Sequence, residues 1–232
     1  MGMQPIADGV WGIEESLSIG PGMRMPARAT VLRLANGDVA LHSPLRLDES
    51  AAAEIERLGP VKMILAPNTM HWMFARAAKE RFPEATLYGA PGLEKKLGDF
   101  TPLPADGLVA EGLRSFLVAG APKMNEHVFL VGKTLIVTDL VMNIHRDFSA
   151  LMSIFLRING VHERLAHSRM WKLLGADAEA LAASAATIAR WSFERIVPAH
   201  GDVVTENARA ELQRVLGIAT EPLAPSATAR VV

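Results

Sequence analysis

The chain has 232 residues, 24 Lys and Arg against 25 Asp and Glu, and no cysteine. A near-neutral chain without a basic stripe is a poor match for nucleic acid, whose binding depends on clustered positive charge. The missing cysteine excludes disulfides, thiolate catalysis and sulfur-held zinc, so any metal must take His, Asp, Glu or Asn.

Half of the residues are hydrophobic, enough for a sizeable core. No apolar run approaches the roughly 20 residues that a membrane span needs, and the N-terminus lacks a basic region followed by an apolar one. A soluble, cytoplasmic protein with no membrane partner is expected. The length suits one large α/β domain, taken as residues 1–220.

In chain order, VWGIEES (10–16) reads as a short strand, and ATVLRLA (29–35) alternates apolar and polar positions. Asn36-Gly37 is a hairpin signal, with DVALHS (38–43) as the return strand. A helix is expected over 48–58, capped by Asp48 or Ser50 and stopped by Gly59-Pro60. VKMILAP (61–67) fits a buried parallel strand. Helical spacing over 71–82 follows, then the strand ATLYGAP (85–91) and a short helix over 92–97. Strands are expected at 113–118, at HVFLV (127–131) and at TLIVTDL (134–140). Residues 147–193 read as mostly helical, broken at Asn159-Gly160 and Gly175, with Asp177 opening the last piece. RIVPA (195–199) is one more strand and 207–216 a final helix. The tail over 221–232, with its prolines and small residues, is expected to be disordered.

Ligand sites in α/β folds gather beyond the carboxyl ends of strands. Four strand ends carry suitable groups: His42 and Ser43, Asn68 and His71, Asp139, and His200 with Asp202. Imidazole and carboxylate can hold a divalent ion, or a His with an Asp partner can act as a general base. Each also has a plain structural reading. His71 can cover a helix's first turn, His200-Gly201-Asp202 can build a turn, and Asp139 can accept backbone N–H bonds. Asn68 can fix its own loop.

The order of elements, together with ILAPNTMHW, TLIVTDL and IVPAHGD, resembles the metallo-beta-lactamase superfamily over roughly residues 10–217. More narrowly, LHSP, APN..H, TDLV.N and PAHGD resemble a subgroup whose metal-binding motif is degenerate. The resemblance implies a four-layer αβ/βα sandwich with a helical insertion at about 147–193, a metal site at one edge of the sheets and, for most members, metal-dependent hydrolysis. Asp139 matches the family's bridging Asp and His200 its last His. The family's His-x-His-x-Asp-His motif is here Asn68-Thr69-Met70-His71-Trp72-Met73. No His stands at the expected place in AGAPKMNEHV, although Glu126 and His127 are close by.

These departures leave too few ligands for two ions. The expectation is therefore at most one divalent metal (zinc, iron or manganese) held by His71, Asp139, His200 and Asn68. His71, His200, Asp139 and His42 would be the catalytic groups, with His42 bordering the cleft. A metal-free pocket is the alternative. The implied function is a hydrolase-like protein acting on a small ester, thioester, lactone or phosphoester. The alternative is a non-catalytic binding or scaffold protein that kept the fold and lost the metals. Arg146 and Arg157 can meet an anionic substrate or simply be solvated. SALMSIFLRI (149–158) can serve as a lid or as a homodimer face.

Overall fold

A computed structural model describes residues 2–145, 148–174 and 177–218, without the side chains of residues 170, 172 and 174. The first sheet takes seven strands in sequence order: β1 (Gln4–Ala7), β2 (Val10–Gly20), β3 (Met23–Arg33), β4 (Val39–His42), β5 (Val61–Ala66), β6 (Thr86–Gly89) and β7 (Thr101–Pro102). β1 to β4 form an antiparallel meander. From β4 to β7 the pairing is parallel, with crossovers through α1 (Glu49–Glu56), α2 (Ala75–Arg81) and α3 (Glu94–Leu97). The second sheet begins with β8 (Asp106–Ala110), β9 (Leu113–Leu117), β10 (His127–Val131) and β11 (Thr134–Val137), all antiparallel.

After β11 the chain forms a small ribbon and a run of helices. The ribbon pairs β12 (Met142–Ile144) with β13 (Arg164–Ala166). The helices of this stretch are α4 (Ala150–Asn159), α5 (Arg169–Leu174) and α6 (Ala178–Ala189). β14 (Arg195–Pro198) then returns parallel to β11, and α7 (Ala208–Leu216) closes the fold.

Side-chain alternation along the strands builds the layers. Met63 and Leu65 of β5 face the second sheet and meet Phe129, Ile136 and Val197 in the inter-sheet core. Ile64 and Ala66 point the other way, onto Ala51 and Ile55 of α1 and Ala75 and Ala78 of α2. On the second sheet, Val128, Leu135, Val137 and Ile196 pack on Ile188 of α6 and Leu212 of α7. The result is helices, sheet, sheet, helices, which is the expected αβ/βα sandwich. No described helix is long and apolar enough to cross a membrane.

Local signals held where the chemistry is local. Asp48 caps α1 by accepting from the Ala51 N–H, and Asp177 caps α6 through the N–H groups of Glu179 and Ala180; each cap is worth about 1 kcal/mol. Gly37 sits at φ +87° in the β3–β4 turn. The insertion is mostly helical, and α4 ends where Gly160 turns left-handed at φ +74°.

Three expectations need correction. β2 and β3 run 11 residues each, far beyond 10–16 and 29–35. Met23 to Arg28 lacks an alternating pattern and carries Pro26, but pairing with β2 holds it extended, with Pro26 opposite Ser16. α2 begins at Ala75 rather than at 71, because 71–74 form a turn held by Asn68. β1 and the β12–β13 ribbon are three or four residues long, too short for periodicity to reveal. Arg146, Gly175 and the tail over 221–232 lie outside the described residues.

Candidate functional site

Backbone hydrogen bonds stitch the two sheets together at one rim. The His127 N–H donates to the Pro67 carbonyl at 2.8 Å, and the Arg28 N–H donates to the Ala199 carbonyl at 2.8 Å. The Ala199 N–H also donates to the Val137 carbonyl at 2.9 Å, so the loop after β5, the end of β11 and the end of β14 come to one rim. His71, Asp139 and His200 follow those three strands, and one donor atom from each lies within 4.8 Å of the other two.

The separations are short. His71 Nε2 is 3.3 Å from Asp139 Oδ2, and His200 Nε2 is 3.4 Å from Asp139 Oδ1. The two Nε2 atoms are 3.1 Å apart. A tetrahedral ion with bonds of about 2.0 Å has ligand-to-ligand edges of about 3.3 Å. The imidazole pair matches that edge, and each imidazole meets its own Asp139 oxygen at the same range, so one zinc-like ion fits between the imidazoles and the carboxylate. Neutral imidazole nitrogen and carboxylate oxygen also suit iron and manganese.

Each group is held from behind. His200 Nδ1–H donates to the Pro26 carbonyl at 2.7 Å, which fixes Nε2 toward Asp139. His71 Nδ1 meets Ser43 Oγ at 2.7 Å, and Ser43 itself is left-handed at φ +50°. Such a conformation costs about 1 kcal/mol or more away from Gly. Gly201 follows His200 at φ +96°, where a Cβ would lie 1.9 Å from the Asn143 carbonyl oxygen. Only glycine lets the ribbon close on this turn.

Asn68 does not join the ligand set. Its Oδ1 accepts from the Met70 and His71 N–H groups at 2.8 Å each. Its Nδ2 donates to Thr138 Oγ1 and to Asp139 Oδ2, both at 2.8 Å. The expected metal ligand is instead the brace that aims His71 and Asp139 together. Glu126 braces from below: its carboxylate accepts from the Thr138 and Asp139 N–H groups at 2.8 and 3.0 Å. Trp171 Nε1 donates to the same carboxylate at 3.4 Å.

The two carboxyls are pushed apart in acidity. Burial and the neighbouring Asp139 charge raise Glu126 to about 7. Burial also opposes ionisation of Asp139, but His71 and His200 outweigh it and hold that carboxyl well below the usual range. For His200, burial opposes the proton, while the bond to Asp139 raises its pKa above the ordinary value.

His42 is not at the cleft border. It follows Ala40 on the inner face of β4, fully buried, with its ring edge-on to Phe129 at 5.2 Å. Neither ring nitrogen has a hydrogen-bond partner. Burial first, and His71 second, lower it to about 3. His127 is likewise buried, with Nδ1 on Ser115 Oγ at 2.9 Å, and burial lowers it to about 4. Neither belongs to the cluster. Asp202 uses its backbone N–H on the Asn143 carbonyl, in keeping with a turn role.

A cavity of about 290 Å³ opens over the cluster, with His71, Asp139, His200 and Ser43 among its lining residues. Its walls include Leu17, Ile19 and Met25 from the β2–β3 hairpin and Met70, Trp72, Met73 and Phe74 from the loop before α2. From the insertion, Phe155 of α4 adds one wall, beside Met142 of β12. Sequence reasoning missed Glu126 as a brace and Pro26 as an acceptor, since neither has a local signal.

No protein-family model matches the chain, and no curated protein matches it. Solved structures do. A metallo-beta-lactamase from Pontibacter korlensis superposes with TM-score 0.62 at 15% identity, over 93% of this chain and 98% of that one. One from Hirschia baltica gives 0.62 at 10% identity, over 93% and 97%. The metallo-beta-lactamase FIM-1 from Pseudomonas aeruginosa, in its mono-zinc form, gives 0.59 at 13% identity, over 93% and 94%. The chain therefore has the metallo-beta-lactamase fold, and identities this low carry nothing finer than the fold.

Proposed function

We propose that the protein is a hydrolase that holds a single divalent ion on His71, Asp139 and His200 and acts on a small ester, thioester, lactone or phosphoester. The two Nε2 atoms 3.1 Å apart, each 3.3–3.4 Å from a different oxygen of Asp139 and beneath a cavity, carry this reading. FIM-1, a neighbour by fold, has been described in a mono-zinc form, which supports a one-ion version of this architecture. An ion bound there would polarise the substrate's reacting oxygen and acidify a water. The protein's own residues do the rest: Asn68 and Glu126 fix Asp139, Ser43 and Pro26 fix the imidazoles, and the apolar walls thin out competing water. In ester hydrolysis, water adds to the acyl carbon, the acyl–oxygen bond breaks, and the water's proton passes to the leaving oxygen.

A second reading has its own observation. His71 Nε2, His200 Nε2 and Asp139 already face one another at hydrogen-bond range, so a shared proton can satisfy the cluster without metal. In that case His71 takes the water's proton as a general base. Metal analysis of protein purified without chelator separates the two. Close to one equivalent of zinc, iron or manganese, lost in His200→Ala, is the expected result, and added zinc should raise the melting temperature. Absence of metal, with no response to zinc, would sink the metal reading. An ester panel run on His71→Ala then tests the general base. If that variant also changes nothing, the non-catalytic binding protein is what remains.

A further inference from the structure

The cavity above the cluster has a chemistry of its own. Its walls include four methionines, Met25, Met70, Met73 and Met142, together with Ile19 and Phe155. Among the described lining residues the polar side chains are Ser43, His71, Asp139, His200 and the indole of Trp72, and the Ser43 hydroxyl is already engaged by His71. Ile19, Met70 and Met73 remain 47%, 53% and 59% exposed at the mouth. Large apolar side chains gathered around an opening are costly in water and mark a binding site.

No Lys or Arg lines the cavity among the described residues. Arg46 and Lys96 lie over the rings of Phe74 and Trp72 instead, and Arg157 of α4 is exposed to solvent. A charged chain would find no basic counter-ion among the described lining residues. Methionine is unbranched and polarisable, so a wall built from it accommodates chains of varied shape.

We propose that the site takes an acyl substrate with a charge-free aliphatic chain, laid along the methionine wall with its carbonyl at the His71–Asp139–His200 floor. This rests on the hydrolase reading for the carbonyl end, while the chain-binding part stands on the cavity alone. Uncharged amides are suitable probes, being stable analogues of the ester. Calorimetry on the full chain with acetamide, hexanamide and decanamide should show affinity rising about fourfold per added methylene, the value for full apolar burial, until the cavity is filled. Decanamide carrying an amine or carboxylate at its far end should bind at least tenfold more weakly.

Met73→Glu, at an exposed position of the cavity wall, should weaken decanamide at least tenfold while leaving the melting temperature unchanged. Affinity indifferent to chain length, equal binding of the end-charged analogues, or an unaffected Met73→Glu variant overturns the proposal. Decanamide binding without hydrolysis of a decanoyl ester would instead remove the hydrolase reading and leave the apolar chain site standing. Hydrolysis confined to an acetyl ester would do the reverse.

Discussion

Two pairs of histidines in this molecule, buried or half-buried, behave in opposite ways. His71 and His200 lie beyond their strands, where loops converge, and each has its rear nitrogen engaged and its front nitrogen aimed at Asp139. His42 and His127 lie within strands, on the faces buried between the sheets. His42 has no hydrogen-bond partner at either nitrogen and His127 has one only at Nδ1. The residue type is the same, and burial does not separate the pairs cleanly, since His200 is buried like His42 and His127. What differs is whether the backbone has left the alternation of the sheet: a loop can turn a side chain toward others, whereas strand parity assigns it to a face.

The comparison can be broken most sharply at Asp139. Asp139→Ala removes the one carboxylate between the imidazoles and should lower metal affinity by about 100-fold or more, read by zinc titration with a competing chelator. Asp139→Asn, which keeps the shape, should do nearly as much. If either variant binds metal like the parent, the ligand set is wrong.

Asn68→Ala comes next. It removes the brace on Asp139 and the acceptor for two N–H groups of the His71 turn, so metal affinity should fall about 10–100-fold. An unchanged titration would mean that the brace does not govern the ligands.

The inter-sheet pair is tested by pH. His42 is held at about 3 in the fold, below its unfolded value of about 6.5. At neutral pH it is uncharged in both states. As pH falls below about 6.5 the unfolded chain takes up the proton and the fold does not, so stability declines toward acid. At pH 5 that loss is about 2 kcal/mol from His42 alone. Unfolding free energies from denaturant titrations at pH 7 and 5 should decline less in His42→Leu by that amount. Parallel curves for variant and parent would show that His42 is charged or solvated in the fold.

Ser43→Ala should have the smallest effect. It frees His71 Nδ1 from its hydroxyl partner at a cost of about 1 kcal/mol in metal binding, or roughly fivefold. A larger loss would mean that Ser43 contacts the ion or the substrate directly.

How much of this was legible beforehand follows the same division. The run VKMILAP, the Asn36-Gly37 turn and the caps at Asp48 and Asp177 were readable because each depends on neighbours within a few residues. Asp139 and His200 were marked by motif and by their place after a strand. The extension of β3 through Pro26 was hidden, since it is imposed by β2 and not by its own pattern. His42 was placed at the cleft because its strand end was right and its facing unknown. Asn68 was read as a ligand because its amide was seen and its partners were not.

Alternation and helical spacing, written residue by residue, predict the strands, the helices and a sheet with helices on a face, while the four-layer arrangement was implied by the resemblance to the metallo-beta-lactamase superfamily. The sequence by itself also determined the chemical types available at the rim. Only the tertiary structure decided which of them meet. Asn68 reaches Thr138 and Asp139 across 70 and 71 residues, and His200 is fixed by a carbonyl 174 residues away. Contacts at such separation arise from the packing of two sheets against each other, and no local pattern encodes them.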